Sequence, residues 1–145
     1  MKQVNEPIVE SVLKLENIYV ESFSFIRGEI VDNNNPTFAF GRNISKKNDN
    51  SSDVILQCKI EWNEKTKLDV SIKGIFSVVG DNKDVNHILL TRNSCAIMFP
   101  YLRSQITLLT SQLNFEPIVL PIININSLLD DLEKEEKWYK FKDNV

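Results

Sequence analysis

Histidine occurs once in the 145 residues, at His87, and cysteine twice, at Cys58 and Cys95. A single imidazole nearly excludes a histidine-based metal centre and argues against a histidine-dependent hydrolase. Two thiols make no disulfide framework, and that count suits a cytoplasmic chain. Glycine is scarce too, with four in all, and no glycine-rich loop of the kind that cradles phosphate is present. There is no long hydrophobic run: an apolar stretch such as Ile118 to Ile123 is far short of the roughly 20 residues a membrane span needs. The first ten residues, MKQVNEPIVE, carry acid and no apolar core, so no signal peptide is expected. Basic charge is in deficit, 17 Lys and Arg against 20 Asp and Glu, and a net charge of −3 argues against a nucleic-acid partner.

The remaining composition is that of a folded domain. At 42% hydrophobic and 9% aromatic the chain is too apolar to be disordered over its length. A single domain of this size buries about 68–70% of its unfolded surface and needs no staples. Residues 1–11 read as a flexible polar arm, and residues 12–142 as one domain.

The apolar pattern that begins at Leu13 has period two, but its phase drifts. Leu13 and Leu15 are odd, Ile18 and Val20 even, Phe23 and Phe25 odd again. A strand changes faces only through an irregularity, which predicts a long strand with one or two bulges. Asn33-Asn34-Asn35 marks a turn, and Phe38, Phe40 and Ile44 share one face of the next strand. Ser45 to Asp53 reads as a polar loop. Val54, Leu56, Cys58, Ile60 and Trp62 then alternate with Gln57, Lys59, Glu61 and Asn63, as in a sheet with one buried face. Leu68, Val70 and Ile72 begin a fourth strand, in which Gly74 suggests a bulge before Ile75 to Val79.

After that the period changes. Val85 to Leu90 suits a short helical turn, and Ile106, Leu109 and Leu113 have helical spacing, with Tyr101 and Leu102 one turn earlier. Ser94 is the candidate N-cap of this helix, with Pro100 near its start. Asn114 to Ile125 reads as an extended connection, unusually apolar for a loop. Asn126 is the candidate cap of a last helix, with Asp130 and Asp131 early and Lys137, Lys140 and Lys142 toward its end. Four antiparallel strands followed by two helices make an α+β fold.

The candidates for chemistry are weak. Cys58 alternates with buried strand residues and reads as a core residue rather than a nucleophile. Cys95 begins the expected helix, where a thiol pKa can fall, but a structural role fits better. His87 has no partner at ligand spacing. The acids from Asp130 to Glu136 lack the glycine and alternating oxygens of a calcium loop, and their interleaved lysines point to a solvated face. No enzyme activity, metal or cofactor is therefore expected. What stands out instead is a surplus of apolar residues: Phe23, Phe25, Phe38, Phe40, Phe76, Phe99 and Phe115, with Ile118, Val119, Leu120, Ile122, Ile123 and Ile125 in the connection. Core filling accounts for many of them individually. Together they exceed what one sheet face and two helices obviously need, and such a surplus marks an oligomer interface or a binding groove.

Gly74-Ile75-Phe76-Ser77-Val78-Val79-Gly80, followed by Ile97-Met98-Phe99-Pro100-Tyr101-Leu102-Arg103, resembles the SecB family of protein-export chaperones. Phe115, Leu120, Asn124 and Leu128-Leu129 fall where that family has its connecting loop and last helix, and Phe38-Ala39-Phe40-Gly41-Arg42 fits SecB-like relatives. The resemblance spans residues 13–135. It implies a four-stranded antiparallel sheet followed by two helices, and a homotetramer built as a dimer of dimers with the first long helices between two sheets. It implies an ATP-independent cytoplasmic holdase for unfolded or precursor polypeptides, with no cofactor and no membrane insertion. The implied client-binding residues are Phe38, Phe40, Phe115, Ile118, Leu120, Ile122, Leu129 and Leu132. The implied oligomer interface is Tyr101, Ile106, Leu109 and Leu113.

In export-dedicated members, acidic residues of the first strand dock the SecA motor. Here Ile18-Tyr19 match the family, but the two positions that follow are Ser22 and Ile26; Glu21 is the nearby acid that a bulge could re-aim. The alternative partner class is an aggregation-prone antitoxin, served by SecB-like members dedicated to a toxin–antitoxin pair.

Overall fold

The chain runs β1 (Val12–Ile26), β2 (Thr37–Asn48), β3 (Ser51–Glu61), β4 (Lys67–Val79), helix α1 (Lys83–Ile88), a π-helical turn (Leu89–Asn93), α2 (Ser94–Ser111), α3 (Ile125–Glu135) and β5 (Trp138–Lys142). This is a computed structural model that describes residues 12–29, 35–113, 116–135 and 138–142. The arm 1–11, Asn33 and Asn34 of the expected turn, and Phe115 lie outside the described residues.

The drifting phase of the first apolar run has its source in β1. This strand pairs antiparallel with β4 and slips register between Leu15 and Asn17 and again between Val20 and Ser22. Glu16 and Glu21 are the extra residues. Each bulge turns the following side chains over, so Leu13, Leu15, Ile18 and Phe25 all reach the same core. The sheet order is β1-β4-β3-β2-β5, and every neighbouring pair is antiparallel. Its inner face carries Phe38 and Phe40, the series Val54, Leu56, Cys58 and Ile60, and Leu68, Val70, Ile72, Phe76 and Val78, all buried.

Several details differ from the sequence-based expectation. The polar stretch 45–53 is not a loop: β2 continues to Asn48 and β3 begins at Ser51, with Asn48 Oδ1 accepting the Asn50 N–H at 2.7 Å across the tight turn. Gly74 makes no bulge, because β3 and β4 stay in register through Val54 and Gly74. Its missing side chain serves packing instead. A Cβ there would stand 2.7 Å from the Phe76 ring and 2.9 Å from Met98 Sδ, so glycine lets α2 approach the sheet.

Helical structure starts earlier than expected. Asn82 is the N-cap, its Oδ1 accepting the N–H groups of Asp84 (3.1 Å) and Val85 (3.2 Å). From there α1, the π turn and α2 follow without a break. Ser94 is therefore interior rather than a cap, and its hydroxyl donates back to the Leu90 carbonyl at 2.7 Å. Cys95, one residue on, is buried inside the helix, and burial pushes its thiol pKa up rather than down. Asn124, not Asn126, caps α3: its Oδ1 accepts the Ser127 N–H at 3.1 Å and its carbonyl the Leu128 N–H at 3.0 Å. Lys140 and Lys142 lie in β5, which adds a fifth strand along β2.

Candidate functional site

The connection between α2 and α3 is an extended segment fastened to α2 by polar side chains. The Thr107 hydroxyl donates to the Ile118 carbonyl at 2.7 Å, and the Ile118 N–H donates to the Thr110 hydroxyl at 2.8 Å. Arg103 donates through Nη2 to the Pro121 carbonyl at 3.0 Å while its guanidinium lies 5.5 Å from the centroid of the Phe99 ring. These bonds satisfy backbone groups that would otherwise need water or a sheet partner. They also fix which side chains turn in. Leu120 is buried, Ile118 and Ile123 pack partly on the core, and Val119 and Ile122 point out, 68% and 96% exposed. An aliphatic side chain as open as Ile122 on a tethered backbone is the principal surface feature of this segment.

Beyond this segment, α3 lays Leu128, Leu129 and Leu132 into the core. Its opposite edge is pinned by Arg92 of the π turn. Arg92 Nη1 lies 2.8 Å from Glu133 Oε1 and 3.1 Å from Asp130 Oδ1, and Nη2 donates to the Asn126 carbonyl at 3.4 Å. The Glu133 hydrogen bond holds the Arg92 pKa above its ordinary value. Arg42 of β2 joins the cluster, donating to the Thr91 carbonyl at 3.0 Å with Glu133 4.0 Å away. So α3 is attached by an apolar face and by an ionic clasp at its rim.

This geometry sorts the sequence-derived client residues into three groups. Ile122 is open and Ile118 half-buried. Phe38, Phe40, Leu120, Leu129 and Leu132 are brought together but buried within this chain, Phe40 against Phe99 with ring centroids 5.8 Å apart. As the chain stands those five are core, because the sheet face and α3 cover them from both sides. Phe115 lies outside the described residues. Val119 is exposed in the same segment but was not among the expected client residues; the apolar run was visible, but which members point outward depends on the bonds from Thr107 and Thr110.

The four residues of the expected oligomer face do not lie together on one surface of the chain. Ile106 is fully buried against the sheet, Leu109 packs on the core, and Leu113 is half-buried with its carbonyl bonded to Arg27. Tyr101 alone of the four faces outward, 48% exposed. It lies in a stripe with Ile97 and Leu108, the latter 53% exposed. The reason is that α2 is apolar on two sides: Met98, Leu102 and Ile106 are buried, while Ile97, Tyr101 and Leu108 stay 38–53% exposed. A second apolar margin is β1, whose outer edge has no strand partner among the described residues and which exposes Val12, Val20, Phe23 and Ile26.

Glu21 occupies the second bulge of β1, on the side of Lys73. The Lys73 ammonium is held above its ordinary pKa chiefly by Tyr19, with Asp53 and Glu21 adding to it against desolvation. The Glu21 side chain is exposed, and the carboxylate in ion-pair distance of Lys73 is that of Asp53, at 3.6 Å. Both thiols are buried, and burial, reinforced by Asp69, pushes Cys58 far above the ordinary thiol range. Among the described residues no cluster of histidine, cysteine or carboxylates could hold a metal, and no helix is long and apolar enough to cross a membrane.

A helix-covered antiparallel sheet with apolar side chains left outside is an α+β fold. The family model described as preprotein translocase subunit SecB matches residues 6–136, and the chain belongs to the SecB family. Among solved structures, the SecB-like chaperone Rv1957 of Mycobacterium tuberculosis, in complex with a ChAD peptide from the antitoxin HigA1, superposes with a TM-score of 0.60. The two are 14% identical, and the match covers 77% of this chain and 90% of that one. An uncharacterized protein of Methanocaldococcus jannaschii is 36% identical over 75 residues, half of this chain. The chain spans about half the length of that relative, 48%.

Proposed function

We propose that this chain is an ATP-independent holdase that binds unfolded or precursor polypeptides through apolar surface and keeps them from aggregating. The observation that carries this reading is the tethered segment 116–124, which holds Val119 and Ile122 out in solvent while its backbone is bonded to α2. Burial of such side chains gives about 25 cal/mol per Å², roughly 1.5–3 kcal/mol for each, without directional demands. A binder that accepts many sequences needs that kind of contact and needs no nucleotide. Ile118 and Ile122 make the accessible part of the groove. Phe38, Phe40, Leu120, Leu129 and Leu132 form its floor and lid, and a client reaches them when α3 lifts. Membership of the SecB family supports the chaperone assignment.

The assembly that fits is a cytoplasmic homotetramer, a dimer of dimers. The outward stripe Ile97, Tyr101 and Leu108 and the open edge of β1 are the two apolar surfaces that copies of the chain would cover. A second reading is a chaperone dedicated to an antitoxin. It is favoured by Ser22 and Ile26, which stand at the two positions where the family resemblance implies docking acids; both weaken a SecA dock. The mycobacterial protein of the same fold was solved with an antitoxin peptide.

The test is dilution of a chemically denatured client into the wild-type chain and into a Val119→Asp/Ile122→Asp variant, followed by light scattering. Both positions are exposed in the chain, so the variant should keep its fold, and sizing it beside the wild type checks its oligomeric state. The reading expects suppression of aggregation by the wild type and its loss in the variant. Equal suppression by both would remove this segment from the client site.

A further inference from the structure

We propose that Arg103 is an anion subsite of the client surface, where an aspartate or glutamate side chain of an extended, aliphatic polypeptide is held beside Ile122. This rests on the holdase reading and adds to it the class of segment bound.

Three observations carry the inference. The first is a covered cation without a counter-ion. Arg103 is half-buried on α2, with its guanidinium 5.5 Å from the centroid of the Phe99 ring. Among the described residues no carboxylate lies within 4.0 Å of it, whereas Arg42, Arg92 and Lys73, half-buried as well, each have one. A charge drawn out of water is costly until a partner offsets it, and the lower dielectric that makes it costly also strengthens the attraction of that partner.

The second is hydrogen-bonding capacity left over. The guanidinium donates through Nη2 to the Pro121 carbonyl at 3.0 Å. Its Nε is buried and has no acceptor among the described residues, and no bond from Nη1 joins the one to Pro121. A planar fork with donors to spare is suited to a carboxylate, whose two oxygens accept parallel N–H bonds.

The third is place. Ile122 directly follows the bonded carbonyl, and it and Val119 are the open aliphatic side chains of this segment. Thr107 and Thr110 fasten the same segment to α2 at Ile118, so the cation and the apolar contacts keep a fixed spacing. Aliphatic contact keeps water away from an ion pair, and an ion pair gives register to a segment that apolar burial alone leaves free to slide. The field of the whole chain works the other way. At a net charge of −3 it disfavours acidic peptides, so a preference for acid identifies a local site.

The experiment uses two fluorescein-labelled synthetic peptides as probes. They share an aliphatic core and differ only in the residues that flank it, aspartate in one and asparagine in the other. Both are titrated by fluorescence anisotropy into the wild-type chain, Arg103→Gln, Arg103→Lys and Thr107→Val. The wild type should bind the aspartate peptide about tenfold tighter than the asparagine peptide, equivalent to about 1.4 kcal/mol. Arg103→Gln should bind the two alike. Arg103→Lys keeps the charge without the fork and should retain part of the preference. Thr107→Val removes a bond to the same segment but leaves the guanidinium, so it should weaken both peptides together and keep their ratio. Equal affinities in the wild type, or a preference for asparagine, overturn the proposal. So does a full preference that persists in Arg103→Gln, or one lost as completely in Thr107→Val, which would make Arg103 a tether and nothing more. Aggregation suppression is scored separately. If the wild type suppresses aggregation while the two peptides bind alike, the holdase reading stands and the anion subsite falls. If suppression fails while the Arg103-dependent preference is present, the holdase reading falls and the subsite stands.

Discussion

Removing the Arg92 side chain should loosen α3 without unfolding the sheet. Arg92 is the hub of the rim clasp, with Glu133 at 2.8 Å, Asp130 at 3.1 Å and the Asn126 carbonyl at 3.4 Å. The two carboxylate partners are about half exposed, so each ion pair is worth only a few tenths of a kcal/mol to about 1 kcal/mol. For Arg92→Ala we therefore expect about 1 kcal/mol less holding α3 down, a several-fold rise in its open population. The sheet is untouched, because Arg92 makes none of the β-ladder bonds. Hydrogen exchange of α3 amides is the assay, with a dye that fluoresces on apolar surface as a second readout for Phe38, Phe40 and Leu120. Raising salt on the wild type should move both readouts the same way, since exposed pairs are screened. Unchanged exchange in α3, in the variant and in high salt, would refute the clasp and leave Leu128, Leu129 and Leu132 as the whole attachment.

Four further outcomes are expected. Ile106→Ala should cost about 2–5 kcal/mol in a denaturant melt because it opens a cavity against the sheet, whereas Leu108→Glu should leave the melt of the subunit nearly unchanged and break the assembly in light scattering; a variant at Ile106 that melts like wild type would contradict the helix face described above. Cys58 and Cys95 should resist alkylation in the native protein and react once it is unfolded, since burial raises both thiol pKa values. A raised thiol pKa means the folded state keeps its protons longer, so this contribution to stability is full below the unfolded value near 9.0 and declines as pH rises above it; stability that improved above that pH would reverse the sign.

The sheet was far more legible in the sequence than the helices, for a physical reason. In β1 each phase change of the apolar pattern corresponds to one bulge, because side-chain alternation along a strand has no slack. In β3 one face is buried and the pattern is clean. Around α2 it is not, since Ile97, Tyr101 and Leu108 outside are as apolar as Met98, Leu102 and Ile106 inside, and no single stripe sets the phase. The ends of β2 and β3 near Asn48 and Ser51 carry no core residue, so their pairing left no hydrophobic trace. Lys140 and Lys142 continued a charge pattern that suits a helix end, and only the edge of β2, a partner distant in sequence, turns them into strand. Among the expected client residues, Phe38, Phe40, Leu120, Leu129 and Leu132 are apolar and lie in one core. The division between Leu120 inside and Ile122 outside depends on hydroxyl groups thirteen or so residues upstream, which no local pattern reveals.

The paired bulges of β1 also act as a key. A plain strand can slide along its neighbour by two residues and still present the same faces, which leaves long apolar edges open to mispairing. Here β4 meets three short stretches of β1 separated by Glu16 and Glu21, and any slide must carry both notches with it. Wrong registers are thus penalised twice over, each time by turning leucine or phenylalanine to the wrong face. For a chain that presents a long apolar margin, such a notched alignment distinguishes its own partner strand from the many foreign strands it would meet.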